Sequence, residues 1–360
     1  MHRFWIAKIM TESLKDLTIA VVGATGAVGN EFLRIMERRH PDLPTLRLLA
    51  SSRSAGRKLA VGGLELVVEE ATDQSFDGVD IAFISASGEI SRRFAPVAVA
   101  AGAVVIDDGS AFRMDAGVPL VVPEVNGADL EWHSGITSIP NCSTTPVVMA
   151  AHPLNRVNPI RRIIADTYQS VSGAGGAAMD QLRNESRDLL AGKETKPASR
   201  ADRMGFNVFP HIDSFQADGY TFEERKMIQE TRKIMHLPEM ALSATCVRVP
   251  VYVSHCVSLH IEFERPMSAD EARGLLGAMP GVTVLDDPEN NLYPVPCDVE
   301  GTDDVWVGRI RQDVSHPNGL ALWVVSDNLR KGAALNSIQI AEELVSRRCL
   351  KRKGASRAAG

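Results

Sequence analysis

Over the first 140 residues, short uninterrupted apolar runs alternate with stretches whose apolar positions recur every three to four residues. The runs Leu17–Val22, Leu46–Ala50, Val79–Ser85, Val104–Asp107 and Ile136–Ile139 show no polar alternation, the pattern of strands covered on both faces in a parallel sheet. Ala27–Arg39 and Glu89–Ala101 carry the helical period and predict crossover helices. This rhythm predicts a Rossmann-like, doubly wound α/β domain over residues 16–140.

Beyond Pro140 the rhythm changes. A helix starting near Cys142 precedes strand-like stretches at Arg161–Val171, Ala244–Ser254, Val257–Glu264 and Leu320–Val325, with helices at Ala177–Leu190, Thr221–Met235 and Ala269–Ala278. Two-residue alternation in Leu259–Glu264 predicts antiparallel strands with one covered face. Residues 141–327 therefore read as an α+β domain around a large mixed sheet. The last helix, Lys331–Ser346, starts with the small residues Gly332, Ala333 and Ala334, which suits a close return of residues 328–346 to the first domain. Residues 1–15 read as an N-terminal extension, with Met10 as an alternative start, and residues 347–360 as a basic, frayed tail. No repeat of 20–50 residues is visible.

A length of 360 residues fits two domains, and 44% hydrophobic with 23% charged residues is ordinary globular composition. The net charge of −6 argues against a nucleic-acid surface. The longest small-apolar run, Val97–Ile106, is far shorter than the roughly 20 residues of a membrane span, and no secretory signal is evident. Five cysteines without a CxxC pair fit free thiols in a reducing compartment, so a cytoplasmic location is expected. No His/Cys/Asp/Glu cluster has zinc spacing, and no metal is expected.

Chemistry enters with Gly23-Ala24-Thr25-Gly26-Ala27-Val28-Gly29, placed between the first strand and the first helix. Glycines there let the backbone turn tightly and approach a pyrophosphate, which the helix N-terminus holds. A dinucleotide is expected; the competing reading is a structural turn. The next strand runs into Ser51-Ser52-Arg53-Ser54-Ala55-Gly56, with no acid between Pro44 and Lys58. A hydroxyl-rich loop with Arg53 suits a 2′-phosphate, so NADP is expected over NAD, against the alternative of a solvated turn.

Asn141-Cys142-Ser143-Thr144 ends a strand and opens a helix that Asn141 or Ser143 can cap. A cysteine at a helix N-terminus feels positive potential, which would lower its pKa and populate the thiolate. The competing reading is an inert core cysteine.

With the glycine loop, this segment closely resembles aspartate-semialdehyde dehydrogenase, from Leu17 to about Leu344. The resemblance is carried by Gly23–Gly29, the SRSAG loop, Ser110–Asp115, Val121–Asn126, Asn141–Thr144, Tyr168–Gly175, Glu223–Met227, Arg248–Val251 before His255, and Asp327–Ala334. It implies NADPH-dependent reductive dephosphorylation of L-aspartyl 4-phosphate to L-aspartate 4-semialdehyde through a cysteine thioester. That reaction belongs to the route to lysine (through diaminopimelate), threonine and methionine. It further implies Cys142 as nucleophile, His255 as acid–base residue and Gln169 as orienting residue. Arg248 would bind the substrate α-carboxylate, Glu223 its α-ammonium, and Arg113 and Lys226 the phosphate, with help from Asn141. Gly23, Thr25, Gly26, Ala27, Val28, Ser51, Arg53 and Ser54 would hold the cofactor, with Ser172, Gly173 and Asn328 near the nicotinamide. The second domain would be catalytic and would form a homodimer through its sheet. His260, Cys246 and Cys256 are read as structural.

Two alternatives are an N-acetyl-γ-glutamyl-phosphate reductase-type enzyme and a non-catalytic dinucleotide-binding protein. One feature of the spacing conflicts with the assigned roles. Arg248 and His255 are seven apart and would face opposite sides of one straight strand. Both can serve one site only if the chain turns between them, with Pro250 a plausible cause.

Overall fold

The structure, a computed structural model, describes residues 13–193 and 203–350. Most of the expected N-terminal extension and the basic end of the expected tail lie outside the described residues.

The first layer contains β1 (Thr18–Val22), α1 (Ala27–Arg39), β2 (Thr45–Ala50), β3 (Lys58–Val61), β4 (Leu64–Glu70), β5 (Ile81–Ile84), α2 (Gly88–Ala101), β6 (Val104–Asp107), a short α3 (Pro123–Asn126) and β7 (Ile136–Ser138). The sheet order is β3-β4-β2-β1-β5-β6-β7. All pairings are parallel except β3–β4. Strands β5 and β6 are buried at every position, which is why they read as unbroken apolar runs. The β3–β4 hairpin is an addition to the expected set. Its strands mix charged and apolar residues and are largely exposed, with only Val61 and Val68 buried, and Gly62 and Gly63 at φ 57° and 78° join them, so they carry little core signal.

The second layer contains α4 (Thr144–Asn155), β8 (Ile160–Gln169), α5 (Gly176–Leu190), α6 (Phe222–Ile234), β9 (Ala241–Arg248), β10 (His255–Phe263), α7 (Ala269–Gly277), β11 (Val282–Val284), a short α8 (Pro296–Val299), β12 (Val305–Gln312) and β13 (Gly319–Ser326); α9 (Leu335–Ser346) follows. The mixed sheet runs β11-β12-β13-β10-β8-β9. Its inner face, including Val257, Leu259 and Ile261, shares one core with α4, α6 and α7. Strand β12 was not expected from the sequence. A register shift between Gly308 and Arg311, with Arg309 at φ 52°, interrupts its alternation.

Three boundaries differ from expectation. Leu14 and Leu17 are buried in the first core, so packing begins inside the segment read as an extension. Cys349 and Leu350 pack against the same core, beyond the predicted end of the last helix. That helix is α-helical only from Leu335; Arg330–Ala334 form a π-helical turn. Its residues Leu335, Ile338, Ala341 and Leu344 pack into the core of the first sheet. Arg330 fixes the return by pairing with Glu31 of α1 and with Asp303.

Candidate active site

The sheet register brings three expected residues to one edge. Strand β8 pairs in parallel with β9, placing Gln169 beside Arg248, and antiparallel with β10, whose first residue is His255. The predicted strand Ala244–Ser254 is therefore not continuous: it stops at Arg248. Residues 249–254 cross the end of β8, where Val249 N–H donates to the Gln169 carbonyl at 3.0 Å, and the chain re-enters the sheet at His255. Ser254 takes φ 74° at the turn back. The conflict between Arg248 and His255 is resolved by this crossing.

A cavity of about 380 Å³ opens at this edge, lined by Arg113, Asn141, Cys142, Gln169, Ser172, Gly173, Glu223, Lys226, Arg248 and Asn328 among others. Cys142 lies just before α4, its Sγ 3.3 Å from His255 Nε2. The Ser170 backbone N–H donates to His255 Nδ1 at 3.1 Å, so a neutral ring carries its proton on Nε2, facing sulfur. Burial, and then Arg248, hold His255 down to about 3.

The thiolate expected from the helix position is not what the environment favours. Burial, and then Glu223, push the Cys142 thiol up to about 12, with Arg113 and Lys226 pulling the other way. Desolvation outweighs the helix terminus, which begins only at Thr144. The resting pair is a neutral thiol beside a neutral imidazole.

Glu223 organises the polar wall. Its Oε1 accepts from Asn141 Nδ2 at 2.9 Å and Gln169 Nε2 at 3.0 Å, and its Oε2 lies 2.7 Å from Lys226 Nζ. Burial would raise its pKa, but Lys226 and the amide donors outweigh it and hold the carboxyl at about 2. With Glu223 buried and Lys226 largely covered, the pair is not a solvated helix salt bridge. Lys226 also pairs with Asp213 at 3.0 Å. Arg113, which could have been a surface cation, is buried and bonds Glu230 at 2.9 Å and the Asp108 carbonyl at 2.8 Å. Asn328 Oδ1 accepts from Ser170, Ser172 and the Ser254 N–H at 2.9 to 3.1 Å, tying these serines to the residue of positive φ before His255.

The returning segment passes directly over Cys142. A Cβ built at Gly332 would lie 2.9 Å from Cys142 Cβ. Gly332→Ala is expected to displace the thiol and lower kcat by roughly tenfold, the usual scale for a small misplacement of a reacting group, with dinucleotide affinity retained. Steady-state turnover and a cofactor titration check this.

A second cavity of about 410 Å³ lies over the ends of β1, β2 and β5, lined by Gly23, Thr25, Gly26, Ser51, Ser52, Glu70, Ser85 and Arg93 among others. Gly23 has φ 90°, and a Cβ there would collide with the Ser85 carbonyl oxygen. Glycine is therefore needed for this turn to pack against the end of β5, and the turn leads into α1, whose N-cap Gly26 lines the cleft. Ala27 and Val28 open α1, and Val28 reaches the catalytic cavity. Arg53 lies in the exposed loop beside the cleft, with Ser54 held to Thr25 at 3.4 Å. Glu70 and Arg93 enter the lining from β4 and α2 and were not singled out from the sequence. Among the described residues, no group of three His, Cys, Asp or Glu side chains is placed to hold a metal, and no helix is long and apolar enough to cross a membrane.

Comparison with known proteins agrees with this layout. Residues 18–133 match the family described as "Semialdehyde dehydrogenase, NAD binding domain", and residues 152–331 match "Semialdehyde dehydrogenase, dimerisation domain". The aspartate-semialdehyde dehydrogenase of Bacillus subtilis is 50% identical over 338 residues, covering 92% of this chain and 98% of that protein. That of Aquifex aeolicus is 49% identical over 331 residues, covering 91% and 97%. The crystal structure of aspartate semialdehyde dehydrogenase II from Vibrio cholerae complexed with ASA superposes with a TM-score of 0.89 at 41% identity, covering 92% of this chain and 98% of that one. A Candida albicans aspartate semialdehyde dehydrogenase solved with NADP gives 0.72 at 27%, covering 93% and 99%. With a nucleotide turn on one sheet, a thiol–imidazole pair on the other and near full-length identity to these enzymes, this chain belongs to the aspartate-semialdehyde dehydrogenase family.

Proposed function

We propose that the protein makes L-aspartate 4-semialdehyde from L-aspartyl 4-phosphate, with NADPH as reductant and Cys142 as the acylated residue. The observation that carries this reading is the contact at 3.3 Å between buried His255 and Cys142, which lines a cavity together with Arg113, Lys226, Glu223 and Arg248. One anionic and one zwitterionic end of a small acyl phosphate would be met by two cations on one side and a Glu/Arg pair on the other.

The environment suggests how substrate activates the thiol. Glu223 is the second cause of the raised Cys142 pKa, after burial. An α-ammonium bound to Glu223 would neutralise that carboxylate and ease thiol ionisation as substrate arrives. Cys142 Sγ then attacks the acyl carbon, forming the thioester as the C–O bond to phosphate breaks; the proton lost by sulfur leaves on the hydrogen phosphate. Arg113 and Lys226 would take the phosphate charge and Arg248 the α-carboxylate. Gln169, fixed by Thr167 at 3.0 Å and by Glu223, would orient the acyl group. When bound, the reduced nicotinamide supplies the hydride that takes the thioester to the thiohemiacetal level. His255 Nε2–H donates a hydrogen bond to the oxygen that gains charge, the donor half of the acid–base role inferred from the resemblance. Collapse then frees the aldehyde, and sulfur is reprotonated.

The glycine turn, Thr25, Ser51, Arg53 and Ser54 support NADP. Arg53→Ala is expected to raise KM for NADP by roughly tenfold or more while leaving KM for NAD nearly unmoved, since one charge-assisted phosphate contact has that worth. The outer face of the second sheet, where Tyr168 packs against Trp323 at 5.4 Å, carries exposed aromatic area and supports a homodimer. The decisive experiment is oxidation of L-aspartate 4-semialdehyde by purified protein with NADP and phosphate. NADPH formation that requires phosphate supports the reading; reaction only with N-acetyl-glutamate 5-semialdehyde would overturn it.

A further inference from the structure

Helix α6 carries four charged residues on one face: Glu223, Lys226, Glu230 and Lys233. The first two belong to the cavity described above. The other two hold neighbouring parts of the frame. Glu230, 1% exposed, uses both carboxylate oxygens: Oε1 accepts from Arg113 Nη1 at 2.9 Å, and Oε2 accepts from the Asn141 backbone N–H at 2.6 Å. Lys233 Nζ donates to three carbonyl oxygens of one loop, those of Arg113 at 2.7 Å, Asp115 at 2.9 Å and Val118 at 2.8 Å.

These contacts join parts that the chain brings from different places. Arg113 lies on the loop after β6 of the first sheet, Asn141 is the residue before Cys142, and α6 packs in the second layer. Arg113 is thus gripped at its guanidinium by Glu230 and at its own carbonyl by Lys233, while its buried Nε–H has no hydrogen-bond partner. Glu230 also holds the backbone that presents the thiol. Its charge offsets that of Arg113, so an anion there meets an oriented donor set rather than a large net positive charge, and can leave again.

We propose that Glu230 and Lys233 are positioning residues for the phosphate half of the reaction: they set Arg113 against Cys142, and Lys233, which touches only the Arg113 loop, takes no part in the redox half. This rests on the reading of Cys142 as nucleophile and Arg113 as phosphate ligand. Two signals separate the halves in full-length protein oxidising the semialdehyde. A burst of NADPH without phosphate reports thioester formation, and phosphate-dependent turnover reports its release.

Lys233→Met is expected to raise KM for phosphate roughly tenfold, the scale of lost charge-assisted hydrogen bonds, with burst amplitude and KM for semialdehyde near wild type. Lys233→Arg, which keeps donors to the carbonyls, should recover most of the loss. Glu230→Gln keeps one acceptor oxygen of two and should also raise KM for phosphate. Burst and phosphate turnover falling in parallel, or an unmoved KM for phosphate in these variants, would overturn the proposal. If thermal melting shows Lys233→Met unfolded, Glu230→Gln and Lys233→Arg decide the question by the same two signals. Wild-type protein with no phosphate-dependent turnover would instead refute the underlying functional reading.

Discussion

Cys142→Ala is expected to reduce phosphate-dependent oxidation of aspartate semialdehyde by roughly 10⁴-fold or more, the scale on which loss of a nucleophile acts when its partners remain. The remaining polar frame does not depend on sulfur: Glu223 keeps its bonds to Asn141, Gln169 and Lys226, and the nucleotide cleft lies on the other sheet. NADP should therefore bind the variant about as well as wild type, measured by titration. Retained turnover would remove Cys142 as nucleophile.

A companion measurement tests the electrostatics. With the thiol pushed up to about 12 by burial and Glu223, alkylation of ligand-free wild type by iodoacetamide should keep accelerating above pH 9. A plateau near pH 7 would show that the helix terminus, not burial, controls the sulfur.

Glu223→Gln is expected to combine a catalytic and a stability loss. It leaves Lys226 with Asp213 alone and, on the proposed reading, removes the anionic partner of the substrate ammonium, so kcat/KM for the semialdehyde should fall by roughly 10²-fold or more, as for a lost buried charge pair. The stability effect follows from the carboxyl pKa, lowered from 4.5 to about 2, which corresponds to about 3 kcal/mol in favour of the folded state. A depressed folded-state pKa stabilises above the unfolded value. The contribution is present at pH 7 and is lost as pH falls from about 4.5 towards 2. Urea unfolding of both proteins at pH 7, 4.5 and 3 should show the gap between them narrowing on acidification. A gap independent of pH would mean that the carboxylate is not held by its partners as the structure has it.

Elements whose signal is local were legible in the sequence. Helix α1 and strand β6 fall where the pattern puts them, because burial on both faces of a parallel strand and on one face of a crossover helix writes a pattern into neighbouring residues. The hairpin β3–β4 left no such pattern, since its edge position exposes most of its side chains. Strand β12 lost its pattern at the Gly308–Arg311 irregularity. Among site residues, Cys142, Gln169, Arg248 and His255 stand in recognisable motifs. Glu230 and Lys233 look like any charged positions on an amphipathic helix, and only the neighbouring loop reveals their use.

Sequence by itself determined the two-sheet plan and the nucleotide turn and singled out Cys142 as the candidate thiol, because glycine geometry, apolar period and short motifs act over a few residues. The tertiary structure decided what those residues can do together. It carries the chain across the end of β8 so that Arg248 lines the cavity while buried His255 meets Cys142, it brings Glu223 and Lys226 together in a largely buried pair, and it raises the thiol pKa that a helix terminus alone would lower. Those outcomes depend on desolvation and on charges distant in the chain, and both exist only after the two sheets have packed.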